Sequence, residues 1–205
     1  MDTRDEKIEL VNIPTANSGP MGIALSPDGE SIWFTEITGN KISSMDIESK
    51  RILEYPIGKE SGPTLLDFDN VGILWVTQSY SNDILQVEPW MLIPNSNNSM
   101  GMFTFTLPEP DRFSPFGIAS VDSKDNSSEK LFVSDHSSSR VIVSSTNTSS
   151  EASDILQPYT SYWTSPSNKY PATLPSQIVV DNSGKLFIFP NTVETEYLKL
   201  IFNQT

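Results

Sequence analysis

Apolar residues in this chain come in short runs, parted by clusters of Gly, Pro, Asn, Asp and Ser. Residues 19–57 show the pattern most cleanly, with strands predicted over 22–25, 31–36, 41–46 and 51–55. Between them stand Ser26-Pro27-Asp28-Gly29, then Thr38-Gly39-Asn40, then Ile47-Glu48-Ser49-Lys50. Strands this short with turns this regular predict an antiparallel meander of four. One such sheet has two unpaired edges and buries little, so it is expected in multiples.

The rest of the chain supplies them. Placing Gly19-Pro20 over Gly62-Pro63 lays Trp33-Phe34-Thr35-Glu36 on Trp75-Val76-Thr77-Gln78. A third copy opens at Pro115-Phe116-Gly117-Ile118-Ala119 and continues as Leu131-Phe132-Val133-Ser134-Asp135. A fourth opens at Pro175-Ser176-Gln177-Ile178 and continues as Leu186-Phe187-Ile188-Phe189. The opening prolines are 43, 52 and 60 residues apart, so the period drifts as loops grow. Four strands per unit at such a period predict the blades of a β-propeller. The fold class is therefore all-β, a single propeller domain or arc of four-stranded antiparallel blades. About four blades are present, near 19–61, 62–113, 114–173 and 174–205, and a larger six- or seven-bladed ring is expected.

Spacing across the second turn of each unit is the best-kept feature. Glu36 precedes Lys41 by five, Gln78 precedes Asp83 by five, and Asp135 precedes Arg140 by five. The runs holding Trp33, Trp75, Phe132 and Phe187 are apolar at neighbouring positions too, as in a sheet sandwiched between two others. Residues 8–14 resemble an outermost blade strand. Such a strand either ends an earlier blade or closes the ring on the last one. The segment 88–101 is an insertion ahead of the outer strand of blade two, 144–153 reads as a solvated loop, and 159–163 with 170–171 forms an aromatic-rich connection into blade four. Trp90 and Trp163 are expected to cap hydrophobic ends. Blade four breaks the pattern: Pro190 stands where an acidic residue is due, and a strand is expected near 197–202.

Charge narrows the partners. With 26 acidic and 13 basic residues the net charge is −13, which disfavours nucleic acid and anionic lipid. No cysteine is present, so disulfides and thiolate sites are excluded. No apolar run reaches bilayer-spanning length, and residues 1–7 are charged with no apolar signal-peptide core after them. The compartment stays open, an extracytoplasmic one included.

The combination Pro20-x-Gly22-Ile23-Ala24, Asp28-Gly29, Trp33-Phe34-Thr35-Glu36 and Asn40-Lys41-Ile42 resembles the repeat of the streptogramin (virginiamycin B) lyases. It is similar, more weakly, to NHL-type and gluconolactonase-like propellers. The resemblance implies a seven-bladed propeller that binds Mg²⁺ and opens a cyclic depsipeptide lactone by elimination, with a histidine base and further histidine and glutamate near the axis. This chain departs from that pattern in having one histidine, His136.

Two functions follow. In the first, the propeller is catalytically silent and binds a small-molecule or protein ligand at its rim, where Glu36, Gln78 and Asp135 occupy equivalent places. In the second it is a carbon–oxygen lyase. His136 is then the base that removes a proton α to a carbonyl, and Mg²⁺ held by Glu36 and Asp135 steadies the enolate. Each acid–base pair across a turn, Glu36 with Lys41 and Asp135 with Arg140, also reads as an exposed ion pair. Asp67-Phe68-Asp69-Asn70-Val71-Gly72 reads as a hairpin turn and not as a calcium loop, because Val71 falls where oxygen is needed. The histidine count and the broken blade four favour the silent reading.

Overall fold

The computed structural model of the chain describes residues 8–107, 114–121, 129–137, 140–146, 159–163, 175–181, 186–190 and 198–200. Sheet one runs β1 (Pro20–Leu25), β2 (Ser31–Glu36), β3 (Lys41–Asp46), β4 (Ile52–Pro56). Sheet two runs β5 (Pro63–Phe68), β6 (Leu74–Gln78), β7 (Asp83–Val87), β8 (Met102–Thr106). Sheet three runs β9 (Pro115–Val121), β10 (Glu129–Asp135), β11 (Arg140–Thr146), β12 (Tyr159–Trp163). Sheet four holds β13 (Pro175–Val180), β14 (Leu186–Pro190) and β15 (Leu198–Leu200). All pairings are antiparallel between consecutive strands, so each sheet is a simple meander. The chain is thus an arc of propeller blades. No helix among the described residues is long and apolar enough to cross a membrane.

Three apolar seams hold the blades together. Trp33, Ile42 and Tyr55 of blade one pack on Leu66, Leu74, Val76, Leu85 and Val87 of blade two. Trp75 and Ile84 of blade two meet Ile118, Leu131, Val133 and Ile142 of blade three. Ala119, Phe132 and Val141 of blade three meet Ile178, Leu186 and Ile188 of blade four. In each seam the back face of one blade is turned to the front face of the next. Sheets covered on both sides are apolar on both sides, which is why these strands read as near-continuous hydrophobic runs.

A hydroxyl stitches each seam beside the axis. Thr35 Oγ1 donates to the Thr64 carbonyl of blade two at 2.6 Å and accepts from Gly22 N of its own blade at 2.8 Å. Thr77 Oγ1 donates to Phe116 O at 2.6 Å and accepts from Leu65 N at 3.1 Å. Ser134 Oγ donates to Ser176 O at 3.0 Å and accepts from Gly117 N at 2.7 Å. In each blade the ladder between the first two strands shifts register at this point, so the hydroxyl serves an amide that the neighbouring strand does not. The approach is close: a Cβ on Gly22 would lie 2.6 Å from the Thr64 carbonyl oxygen.

Several expectations change. Residues 8–14 form no strand and pair with no strand among the described residues; Ile8 and Leu10 are exposed. Residues 159–163 are not a connection but β12, the outer strand of blade three, paired from Arg140↔Trp163 to Ser144↔Tyr159, as suits a run of Tyr, Thr and Trp. Residues 144–146 belong to β11, because the long β10 offers them partners; 147–153 lie outside the described residues, as does the connection at 170–171. Trp90 is not packed over a hydrophobic end as expected: it sits on a 3₁₀ turn, Pro89–Met91, and is 64% exposed. The segment 67–72 is a hairpin turn as expected, with Asp69 accepting from Val71 N, Ile73 N and Trp75 Nε1.

Candidate functional site

The rim carrying the turns between second and third strands holds every candidate residue. Glu36, Gln78 and Asp135 each end the second strand of their blade, and each is buried. Their positions are equivalent because the repeats superpose. Their side chains face inward because this turn folds back on the segment leading into the first strand. Thr38 N and Gly39 N donate to Ser18 O, Tyr80 N to Ser61 O, and His136 N to Ser114 O.

Glu36 is fully buried. Ser43 Oγ donates to its Oε1, while Oε2 meets no partner. Burial lifts its pKa above the ordinary carboxylate range. Ser43 and the Lys41 charge pull the other way, and Glu54 adds to the rise. Lys41 does not form the expected exposed pair with Glu36. Its long stem carries Nζ to the outer strand, 2.8 Å from Glu54 Oε2 and 2.6 Å from Thr15 Oγ1. Burial alone would raise Glu54; the bonds from Lys41 and Thr15 outweigh it and leave its pKa lowered.

Asp135 is enclosed in a different way. Its Oδ1 accepts from Ser114 N, Ser137 N and Ser137 Oγ, and Arg140 Nη2 lies 3.5 Å from Oδ2. Here the cross-turn pair does form, with its acid wholly buried. A Mg²⁺ ion takes oxygen ligands in near-ideal octahedral geometry and keeps several waters. Glu36 and Asp135 stand on different blades, both buried, and no three His, Asp or Glu among the described residues gather as a metal set. That donor arrangement does not fit the ion.

What the rim does present is aromatic. Tyr80 lies on the turn after β6, 69% exposed, with its ring directly over Gly62, where a Cβ would collide with it. Gly62 has φ +55°, a left-handed conformation that glycine adopts without cost. Across the seam the Phe116 ring meets His136 at a tilt of 30°, centroids 5.2 Å apart. The two groups are tied together, since Ser79 Oγ donates to Pro115 O. His136 Nδ1 is buried and meets no hydrogen-bond partner. Sequence reasoning found His136 but missed Tyr80, whose one visible signal is a lone aromatic in a Ser-Asn turn facing Gly62.

No family model and no curated relative matches the chain. Among solved structures it is similar to a streptogramin B lyase, at 23% identity over 89% of this chain and 52% of that one, TM-score 0.66. It is similar to virginiamycin B lyase from Staphylococcus aureus, at 24% identity over 92% and 54%, TM-score 0.68. The periplasmic gluconolactonase of Pseudomonas aeruginosa matches at 13% identity over 87% and 51%, TM-score 0.58. These likenesses define the fold: a β-propeller arc of the kind seen in streptogramin lyases. The chain spans about half the length of these structures.

Proposed function

We propose that the protein is a binding propeller without lyase chemistry. Its rim over the seam between blades two and three takes a small-molecule or protein ligand against Tyr80 and the Phe116–His136 pair. One observation carries the reading: the carboxylates a metal-assisted elimination needs are buried on separate blades, while an exposed ring is held flat on Gly62 beside a second aromatic pair. A flat aromatic with one open face offers a large contact area at little entropic cost.

The lyase reading keeps one point in its favour, the unpartnered Nδ1 of the rim residue His136, which is the atom a general base would use. A single experiment separates the two. Quinupristin, present in a solved structure of an inactive virginiamycin B lyase, is incubated with the chain and Mg²⁺, then with EDTA. Mass spectrometry reads opening and saturation-transfer NMR reads binding. The lactone is expected to stay closed, with saturation transfer weakened by Tyr80→Ala. Chelator-sensitive opening that disappears in His136→Ala overturns the proposal.

A further inference from the structure

The turn that carries Tyr80 continues as Ser81-Asn82-Asp83. Each of these three holds a buried oxygen with no hydrogen-bond partner: Ser81 Oγ, Asn82 Oδ1 and Asp83 Oδ1. The repeat shows what the amide oxygen meets elsewhere. In blade one the matching Asn40 has the same left-handed backbone, φ +51° against +62° at Asn82. Its Oδ1 accepts from Ser61 Oγ at 3.2 Å and from Gly62 N at 3.1 Å, both on the segment entering blade two. On the segment entering blade three, Ser114 N donates to Asp135 instead. Asn82 Nδ2 donates to Leu107 O at 3.2 Å, and Leu107 N donates to Asn82 O, so the amide is clamped with Oδ1 turned away from Leu107. An acceptor left without a donor on a residue only 5% exposed is costly and rare in native proteins.

Charge says which donor is missing. The residue opening the third strand is Lys41 in blade one and Arg140 in blade three, and each sets its cation on a carboxylate, Glu54 or Asp135. In blade two that residue is Asp83. No lysine or arginine stands between Lys59 and Arg112, whereas Asp67, Asp69, Asp83 and Glu88 do. We propose that the rim of blade two takes an organic cation, a guanidinium or ammonium group on an apolar stem. Asp83, Ser81 Oγ and Asn82 Oδ1 receive the head, and the Tyr80 ring covers the stem. Successive Cα atoms are about 3.8 Å apart, so Tyr80 and Asp83 lie within about 11 Å of each other. Ser81 and Asp83 are only part-buried, so the head group meets them from the rim. Hydrogen bonds from a cation to a carboxylate are about twice as strong as neutral ones. The inference rests on the rim-binding reading and narrows its ligand.

Saturation-transfer NMR titrations of the full chain test it with N-acetylarginine amide and its uncharged counterpart, N-acetylcitrulline amide. The arginine probe is expected to bind about tenfold or more tighter. Asp83→Asn erases that preference. Glu48→Gln, which removes the same charge from an exposed turn of blade one, leaves it intact. An acetylated Gly-Arg-Gly amide that binds tighter than the single residue assigns the cation to a polypeptide, and equal binding assigns it to a free small molecule; the site stands in both cases. Equal affinity for the two amides, or a preference untouched by Asp83→Asn, overturns the cation site. Tyr80-dependent saturation transfer to quinupristin in the same samples then shows the rim-binding reading still standing, and its absence shows both failing.

Discussion

Thr35→Val removes one hydroxyl from the seam between blades one and two and keeps the side-chain shape. In the native molecule that oxygen accepts from Gly22 N and donates to Thr64 O, both buried. Stranding a buried backbone group costs about 1–3 kcal/mol, so two lost partners cost about 2–6 kcal/mol. Native domains hold only about 5–15 kcal/mol in all, so this is a large share. Thr35→Ser is the control: it keeps the hydroxyl and loses one methyl, worth about 1 kcal/mol. Urea unfolding followed by tryptophan fluorescence is the assay, since Trp33 and Trp75 sit in two different seams. The midpoint should fall much further for valine than for serine, with the slope unchanged. A valine variant as stable as the serine variant refutes the idea that these hydroxyls stitch the blades.

Gly22→Ala should destabilise by about 1–3 kcal/mol, because the new methyl meets backbone at 2.6 Å and 2.9 Å on blade two and the seam must open; thermal unfolding measures it. Asp67 lies between blades two and three, accepting from Ser120 N at 2.8 Å, and burial raises its pKa from 3.8 to about 6. The folded carboxyl therefore keeps its proton where the unfolded one has lost it. Its contribution is full below the unfolded value and is lost as pH rises to about 6, a fall of about 3 kcal/mol. Asp67→Asn should abolish that loss, so the variant gains on the parent between pH 4 and 6, and a parallel pair of stability–pH curves contradicts it. Asp69→Ala should cost about 3 kcal/mol in urea titrations, since Val71 N, Ile73 N and the buried Trp75 Nε1 lose their acceptor together.

Blade positions were legible because the repeat writes both faces of each sheet in apolar residues and punctuates them with turn-formers. Trp33, Trp75 and Phe132 fall in seams for that reason. The recurring hydroxyl at Thr35, Thr77 and Ser134 was visible too, yet its role depends on a register shift that only the pairing reveals. Pairing of Glu36 with Lys41 was misread, since a lysine stem reaches two strands and Glu54 with Thr15 outbid the nearer acid. The strand at Tyr159–Trp163 was hidden because the extra residues ahead of it in the sequence moved it off the expected period. Nothing local in 8–14 distinguishes a paired outer strand from an unpaired one, because a strand exists only where another edge meets it.

The central claim is that the rim acids hold the blades in shape and leave the rim free to bind. Calorimetric titration of Mg²⁺ into the chain at neutral pH in moderate salt tests it most directly. No saturable heat that depends on Glu36 or Asp135 is predicted. A one-site isotherm that vanishes in Glu36→Gln or Asp135→Asn would contradict it.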